Sequence, residues 1–238
     1  MTAALPLFPL GTVLFPGLVL PLHVFEERYR ALMRHLMDRP EGEPREFGVV
    51  AIEQGLEVAR PMSGGPDVRL YPVGCTAEVR QVTERDDGEL DVVTVGRRRF
   101  EIAQVLPADT PYLLAEVRYL PEPPDADGAA DRLAPGVLAA FRRFLRLIRT
   151  DGEDVAGAEG QGGRFEEQLP DDPTVLSHLV AATAALSVAD RQRLLAAPDT
   201  ASRLRTELSL LSREVALLTA VRAVPVSPND LPVRPGPN

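Results

Sequence analysis

Hydrophobic and polar positions alternate between two periods along this chain. From Leu5 to His23, short apolar runs are cut by Pro6, Pro9, Pro16 and Pro21. Each proline lacks an N–H and drives the residue before it toward extended backbone. The stretch therefore predicts two short strands joined by a turn at Phe15-Pro16-Gly17. From Val24 to Asp38 the spacing turns helical, with Phe25, Tyr29, Leu32, Met33 and Leu36 on one face and Pro40 closing the element. Phe47 to Ile52 is short, apolar and β-branched, which favours a buried strand. Gly55 and the run Pro61 to Pro66 predict loops. Val73–Thr83 and Leu90–Val95 alternate around Asp87-Gly88, the signature of a β-hairpin. Phe100–Val105 and Tyr112–Leu120 continue the strand pattern. The region up to residue 120 thus collects six or seven strands around one helix, the strand count of a small, partly open barrel.

Pro121 to Asp127 marks a boundary, because its prolines stop both helix and sheet and its acids favour solvent. Beyond it the period is helical. Val137, Phe141, Phe144, Leu145 and Ile148 form one stripe, and Asp151 to Gly163 predicts a mobile loop. Asp172-Pro173 predicts a capped helix start for Val175–Ala185, and Ser187 with Asp190 a capping box for the next helix. A last helix from Thr200 carries Leu204, Leu208, Leu211, Val215 and Leu218 at heptad-like spacing, a stripe best explained by packing on its neighbours. The reading is an α+β chain: a barrel over 1–121, a helical part over 122–224, and a disordered proline-rich tail over 225–238.

Composition narrows the chemistry. All 26 basic residues are arginine, so there is no lysine for a phosphate-binding loop, a Schiff base or a Ser–Lys dyad. A net charge of −9 argues against general affinity for nucleic acid or anionic lipid. The single Cys75 excludes an intramolecular disulfide and suits a reducing, cytoplasmic setting, and no apolar run is long enough to span a membrane. His23, His35 and His178 have no metal-ligand spacing, and neither Ser63 nor Ser177 lies in a nucleophile motif. The residues point to no catalytic group, cofactor or metal, and no pattern sets an oligomeric state.

Pro9, Leu10, Val13, Phe15, Pro16, Gly17, Pro21 and Leu22 match in order the P-L-x-x-V-x-F-P-G-x-x-x-P-L pattern that opens the Lon protease N-terminal, substrate-binding domain. Val73 to Val79, Asp87-Gly88 and Val92 to Ile102 resemble that family's second block, and Leu186 to Leu195 with Arg203-Leu204 its helical half. The resemblance implies a PUA-like barrel followed by helices. It also implies a stand-alone, non-enzymatic form without the ATPase and protease modules, which recognises exposed apolar segments of unfolded or damaged polypeptides in protein quality control, as holdase or adaptor. Alternatives are a regulator of a resident Lon-type protease and a small-ligand or RNA-binding module of the same barrel. The low aromatic content, 5% with no tryptophan, argues against RNA. Two groups are candidate peptide contacts: Phe15, Pro16 and Leu18 in the N-terminal strands, and Glu26, Glu27 and Arg28 at the first helix start. Arg97-Arg98-Arg99 is the densest charge run, and strict alternation would put Arg97 and Arg99 on one face.

Overall fold

A computed structural model describes residues 2–40, 42–54, 69–149 and 169–223. The expected loops at Gly55, 61–66 and 151–163, the tail from Pro225, and Ser63 lie outside them. Seven strands come first: β1 (Thr2–Leu10), β2 (Val19–Val24), β3 (Glu46–Gln54), β4 (Arg69–Leu70), β5 (Val73–Glu84), β6 (Leu90–Leu106) and β7 (Leu113–Tyr119). One helix, α1 (Glu27–Met37), is inserted after β2. Among the described residues four helices follow the strands: α2 (Ala129–Arg149), α3 (Pro173–Thr183), α4 (Val188–Leu195) and α5 (Thr200–Ala223).

The strands close on themselves. Neighbours run β1-β7-β6-β5-β3, and β3 pairs back to β1 in parallel, so the barrel expected to be partly open is a closed ring. β1 makes this possible by changing partner midway: residues 2–7 pair with β7 and residues 7–10 with β3. Only Leu7 is paired on both sides, so Pro6 and Pro9 each have one unpaired side, where a missing N–H breaks no ladder. Phe15-Pro16-Gly17-Leu18 forms the expected turn, with the Leu18 N–H on Phe15 O at 3.2 Å and Gly17 at φ +80°, a conformation glycine adopts without strain. Gly96 must also be glycine, because a Cβ there would lie 2.1 Å from Phe15 O.

Two expected strands merge into one. β6 continues unbroken for 17 residues past the hairpin, pairing first with β2 and then with β7 along one edge and with β5 along the other. A register shift between Cys75 and Ala77 marks a bulge opposite Arg97-Arg98. The extra residue cancels the strict alternation: Arg97 and Arg98 are both exposed, and Arg99 alone turns inward. Phe25 also departs from expectation. β2 runs to Val24 and the helix starts only at Glu27, leaving Phe25 in the connection and 53% exposed. Ile148 is exposed as well, because the buried part of α2 ends with Phe144.

Capping follows the sequence. Asp172 accepts from the Thr174 and Val175 N–H groups, and Ser187 Oγ accepts from Asp190 N–H. α1 lies against the barrel core through Tyr29, stacked on Phe8 at 3.9 Å, with Leu32, Met33 and Leu36 buried behind it. The core does not respect the chain boundary: Leu14, Phe47 and Cys75 of the barrel share one cluster with Ala181, Leu194 and Leu210 of the helices. A second cluster joins α2, α3 and α5 through Phe141, Val180, Leu204 and Leu211, which confirms the heptad-like stripe as packing surface.

Glu207 sits fully buried on α5, and neither carboxyl oxygen finds a hydrogen bond among the described residues. Burial raises its pKa well above the ordinary carboxylate range, an effect that Arg203 only partly opposes. The folded chain therefore holds a proton that the unfolded chain releases, so this contribution is complete below the ordinary carboxylate pKa and is lost as pH rises. Glu207→Gln keeps the shape and has no proton to lose. Its urea midpoint should exceed that of the parent, by a margin that grows between about pH 5 and about pH 8. An equal pH dependence in the two proteins would contradict this assignment.

Candidate functional site

The junction between barrel and helices is built on two arginines. Arg99, turned inward by the bulge, is 3% exposed and donates to Leu195 O at 2.9 Å and Ala197 O at 2.5 Å, carbonyls at the end of α4 that have no helical partner. Arg203 on α5 is completely buried and donates to Ser177 Oγ at 2.8 Å and to Leu194 O at 3.3 Å. Glu122 lies between them, with one oxygen 2.8 Å from Arg99 and the other 2.8 Å from Arg203. It also accepts from Thr200, whose hydroxyl meets that of Thr174. The linker acid expected to be solvated is thus the shared counter-ion of a buried pair. Burial lowers the Arg99 pKa, and Glu122 works against that shift by favouring the charged guanidinium.

A cleft of about 580 Å³ opens beside this network, walled by Pro16, Gly17, Arg98, Tyr119, Val175 and His178. His178 is 6% exposed, its ring 6.3 Å from that of Phe15, and its Nε2 has no partner among the described residues. Burial, with Arg203 and Arg99 nearby, pushes its pKa down to about 3, so the ring is neutral at physiological pH. The rim arginines are already matched: Arg97 to Glu78 at 3.0 Å, and Arg98 to Glu46 at 3.3 Å while lying 3.9 Å over the Tyr119 ring. The cleft offers apolar walls and neutralised charge, with no reactive group. The Cys75 thiol is buried, and burial pushes its pKa up to about 12. Among the described residues no cluster of His, Cys, Asp and Glu could hold a metal ion, and no helix is long and apolar enough to cross a membrane.

The expected contact residues fall at the two ends of β2. At its start, Phe15 is wholly buried and serves the core, whereas Pro16 and Leu18 are only partly covered. At its end, Glu26 pairs with Arg28 at 2.8 Å, and Glu27 pairs with Arg30 at 2.6 Å and with Arg34. These bonds lower the Glu27 pKa and engage the acids within their own helix. Arg28 and Tyr29 border a second cleft of about 390 Å³ beneath the β6–β7 connection, separate from the first. Between the two groups lie further apolar side chains of β2 and of the connection to α1. Val19 is 61% exposed, Leu20 and Leu22 are partly covered, and Phe25 stands beside the His23 ring at 6.1 Å.

Residues 4–213 match the model of the ATP-dependent protease La (LON) substrate-binding domain. The chain belongs to this family. Lon protease 2 of Herpetosiphon aurantiacus is 30% identical over 218 residues, covering 91% of this chain and 24% of that protein. Lon protease 1 of Thermus thermophilus is 33% identical over 150 residues, 61% of this chain and 18% of that protein. The chain thus spans about a quarter or less of the length of these relatives. Two solved structures share the fold. The Lon N-terminal domain protein from Xanthomonas campestris aligns with a TM-score of 0.55 at 24% identity, covering 87% of this chain and 98% of that one. The N-terminal domain of Mycobacterium avium complex Lon protease aligns at 0.59 and 19% identity, covering 88% and 98%.

In this Lon-family domain the buried pair makes a direct prediction. Glu122→Ala strands two guanidiniums and should cost roughly 3–5 kcal/mol, read as a lower urea midpoint. Glu101→Ala, which removes the surface partner of Arg118, should cost less than about 1 kcal/mol. Equal costs would show that the junction network is not structural.

Proposed function

We propose that this domain binds exposed apolar segments of unfolded or damaged polypeptides, without catalysis and without nucleotide, as a holdase or adaptor in protein quality control. The observation that carries the reading is the incomplete cover of apolar side chains on and beside β2, with Leu18, Leu20 and Leu22 partly open on its core-facing side and Val19 and Phe25 exposed, on a domain of the Lon substrate-binding family. Large apolar groups left open on and beside one short strand are the kind of surface that serves as an interaction site. Binding is by burial. A few hundred Å² of client apolar surface contributes several kcal/mol at ~25 cal/mol per Å², most of it offset by the cost of association and ordering. Affinity therefore lies in the micromolar range, roughly 1–100 µM, with broad sequence tolerance.

The test is light scattering of a chemically unfolded model protein with and without an excess of this domain, together with anisotropy binding to the unfolded and native forms. Suppression of aggregation and binding confined to the unfolded form are expected. Val19→Asp combined with Phe25→Asp, both at exposed positions, should weaken binding about tenfold while the urea midpoint stays put. No binding to the unfolded protein, with co-purification of a Lon-type protease instead, would replace this reading with the regulator alternative.

A further inference from the structure

Among the described residues β2 is paired along only one of its two edges. The Gly96 N–H bonds Leu18 O at 2.8 Å, and the register sets Val19 opposite Val95. In an antiparallel ladder this makes the 19/95 pair a non-hydrogen-bonded one. The backbone groups of Leu20 and Leu22 therefore face β6, and those of Val19, Pro21 and His23 face away from it. Pro21 fits this assignment, since its position needs no N–H toward β6. Among the described residues no strand pairs with the outer edge, and Val19, Pro21 and His23 are all exposed. The edge is bounded at one end by the Pro16-Gly17 wall of the junction cleft and at the other by His23, held between Glu89 at 2.6 Å and Asp91 at 2.9 Å.

Resting on the functional reading above, we infer that the outer edge of β2 recognises its clients by strand addition, taking an extended apolar polypeptide segment as an antiparallel neighbour. The added strand makes two backbone hydrogen bonds at Val19, one at the Pro21 carbonyl and two at His23. Client residues opposite these three positions point to solvent beside Val19. The alternate ones lie over Leu18, Leu20 and Leu22, which are partly covered and would be sealed by apolar side chains. The recognised pattern is a chain that is apolar at every second residue. This geometry also explains selectivity for unfolded protein: a helix or a paired strand has no free N–H and C=O groups to offer the edge, and an unfolded segment has both.

The occupant is a foreign segment rather than a second copy of the chain. Pro21 stands in the middle of the edge and lacks a donor. The full-length register of two β2 edges sets Pro21 against Pro21 and forfeits two hydrogen bonds, and shifted registers shorten the overlap, whereas a client segment forfeits one. Pro21 thus discourages self-pairing while leaving the edge usable.

The test uses a fluorescent ten-residue peptide of alternating valine and threonine, and two twins of it, one N-methylated on the threonines and one on the valines. In the proposed pose the valines cover Leu20 and Leu22, so the threonine amides donate to β2 and the valine amides point away. Methylating the threonines should weaken binding at least about tenfold, and methylating the valines should change it less than about twofold. On the protein side, Val19→Pro removes an outward N–H without touching the ladder to β6 and should weaken the parent peptide about fivefold. Pro21→Val adds an outward donor and should tighten it about as much. Equal binding of the two methylated twins, or binding of the unfolded protein but not of the parent peptide, overturns strand addition and leaves the functional proposal standing. Failure of the unfolded protein and the peptide together overturns the functional proposal itself. A doubling of mass in light scattering that the peptide reverses would make a second copy the occupant and overturn the choice made here.

Discussion

The buried pairing of Arg99 and Arg203 around Glu122 is the constraint on which the rest of this structure depends. Two guanidiniums of like charge, removed from water, are tolerable only with a counter-ion and with acceptors for the remaining N–H groups. Glu122 supplies the charge, and the carbonyls at the end of α4 supply the acceptors. The arrangement therefore joins five elements at once: the bulged strand β6, the linker after β7, α3 through Ser177, the C-terminus of α4 and the first turns of α5. Gln192, donating to Val73 O at 2.7 Å, adds a further tie from α4 back to β5. Barrel and helices share a core because these polar contacts leave them only one relative placement.

That frame also sets where the proposed docking edge lies. Closing the ring through the parallel β1–β3 pair leaves β2 outside it, attached to β6 by one edge. Gly96 lets the Phe15 turn sit directly on β6, which anchors the start of β2, and Arg30 bonds Gly88 O at the hairpin tip beyond its end. Among the described residues the outer edge of β2 is thus held at both ends and unpaired along its length. Such pre-ordering lowers the entropic cost of capturing a flexible chain.

Much of this was legible in the sequence because it is local. Prolines and glycines placed the first turn, Asp87-Gly88 placed the hairpin, and Asp172 and Ser187 placed helix starts, each through contacts within a few residues. The family pattern around Phe15-Pro16-Gly17 was legible for the same reason. What escaped is long-range. A bulge is a property of two strands together, so nothing in Arg97-Arg98-Arg99 alone says which arginine turns inward. Arg203 is equally silent in the sequence, because it stands about 100° round the helix from Leu204 and nothing local says that it turns into the core. Glu122 looked solvated because its partners lie 23 residues before it and 81 after. The open edge of β2 is long-range as well, because which edge of a strand is paired depends on partners such as β6, about 70 residues away in the chain.

The most direct measurement on the central claim, that this rigid domain meets its clients along β2 without opening its core, is amide hydrogen exchange of the full chain with and without an unfolded client. The account predicts slowed exchange across residues 16–28, where the outward amides of Val19 and His23 gain partners, and unchanged exchange in the α4–α5 segment around Arg203. Protection elsewhere with none at β2, or faster exchange around Arg203 on binding, would contradict it.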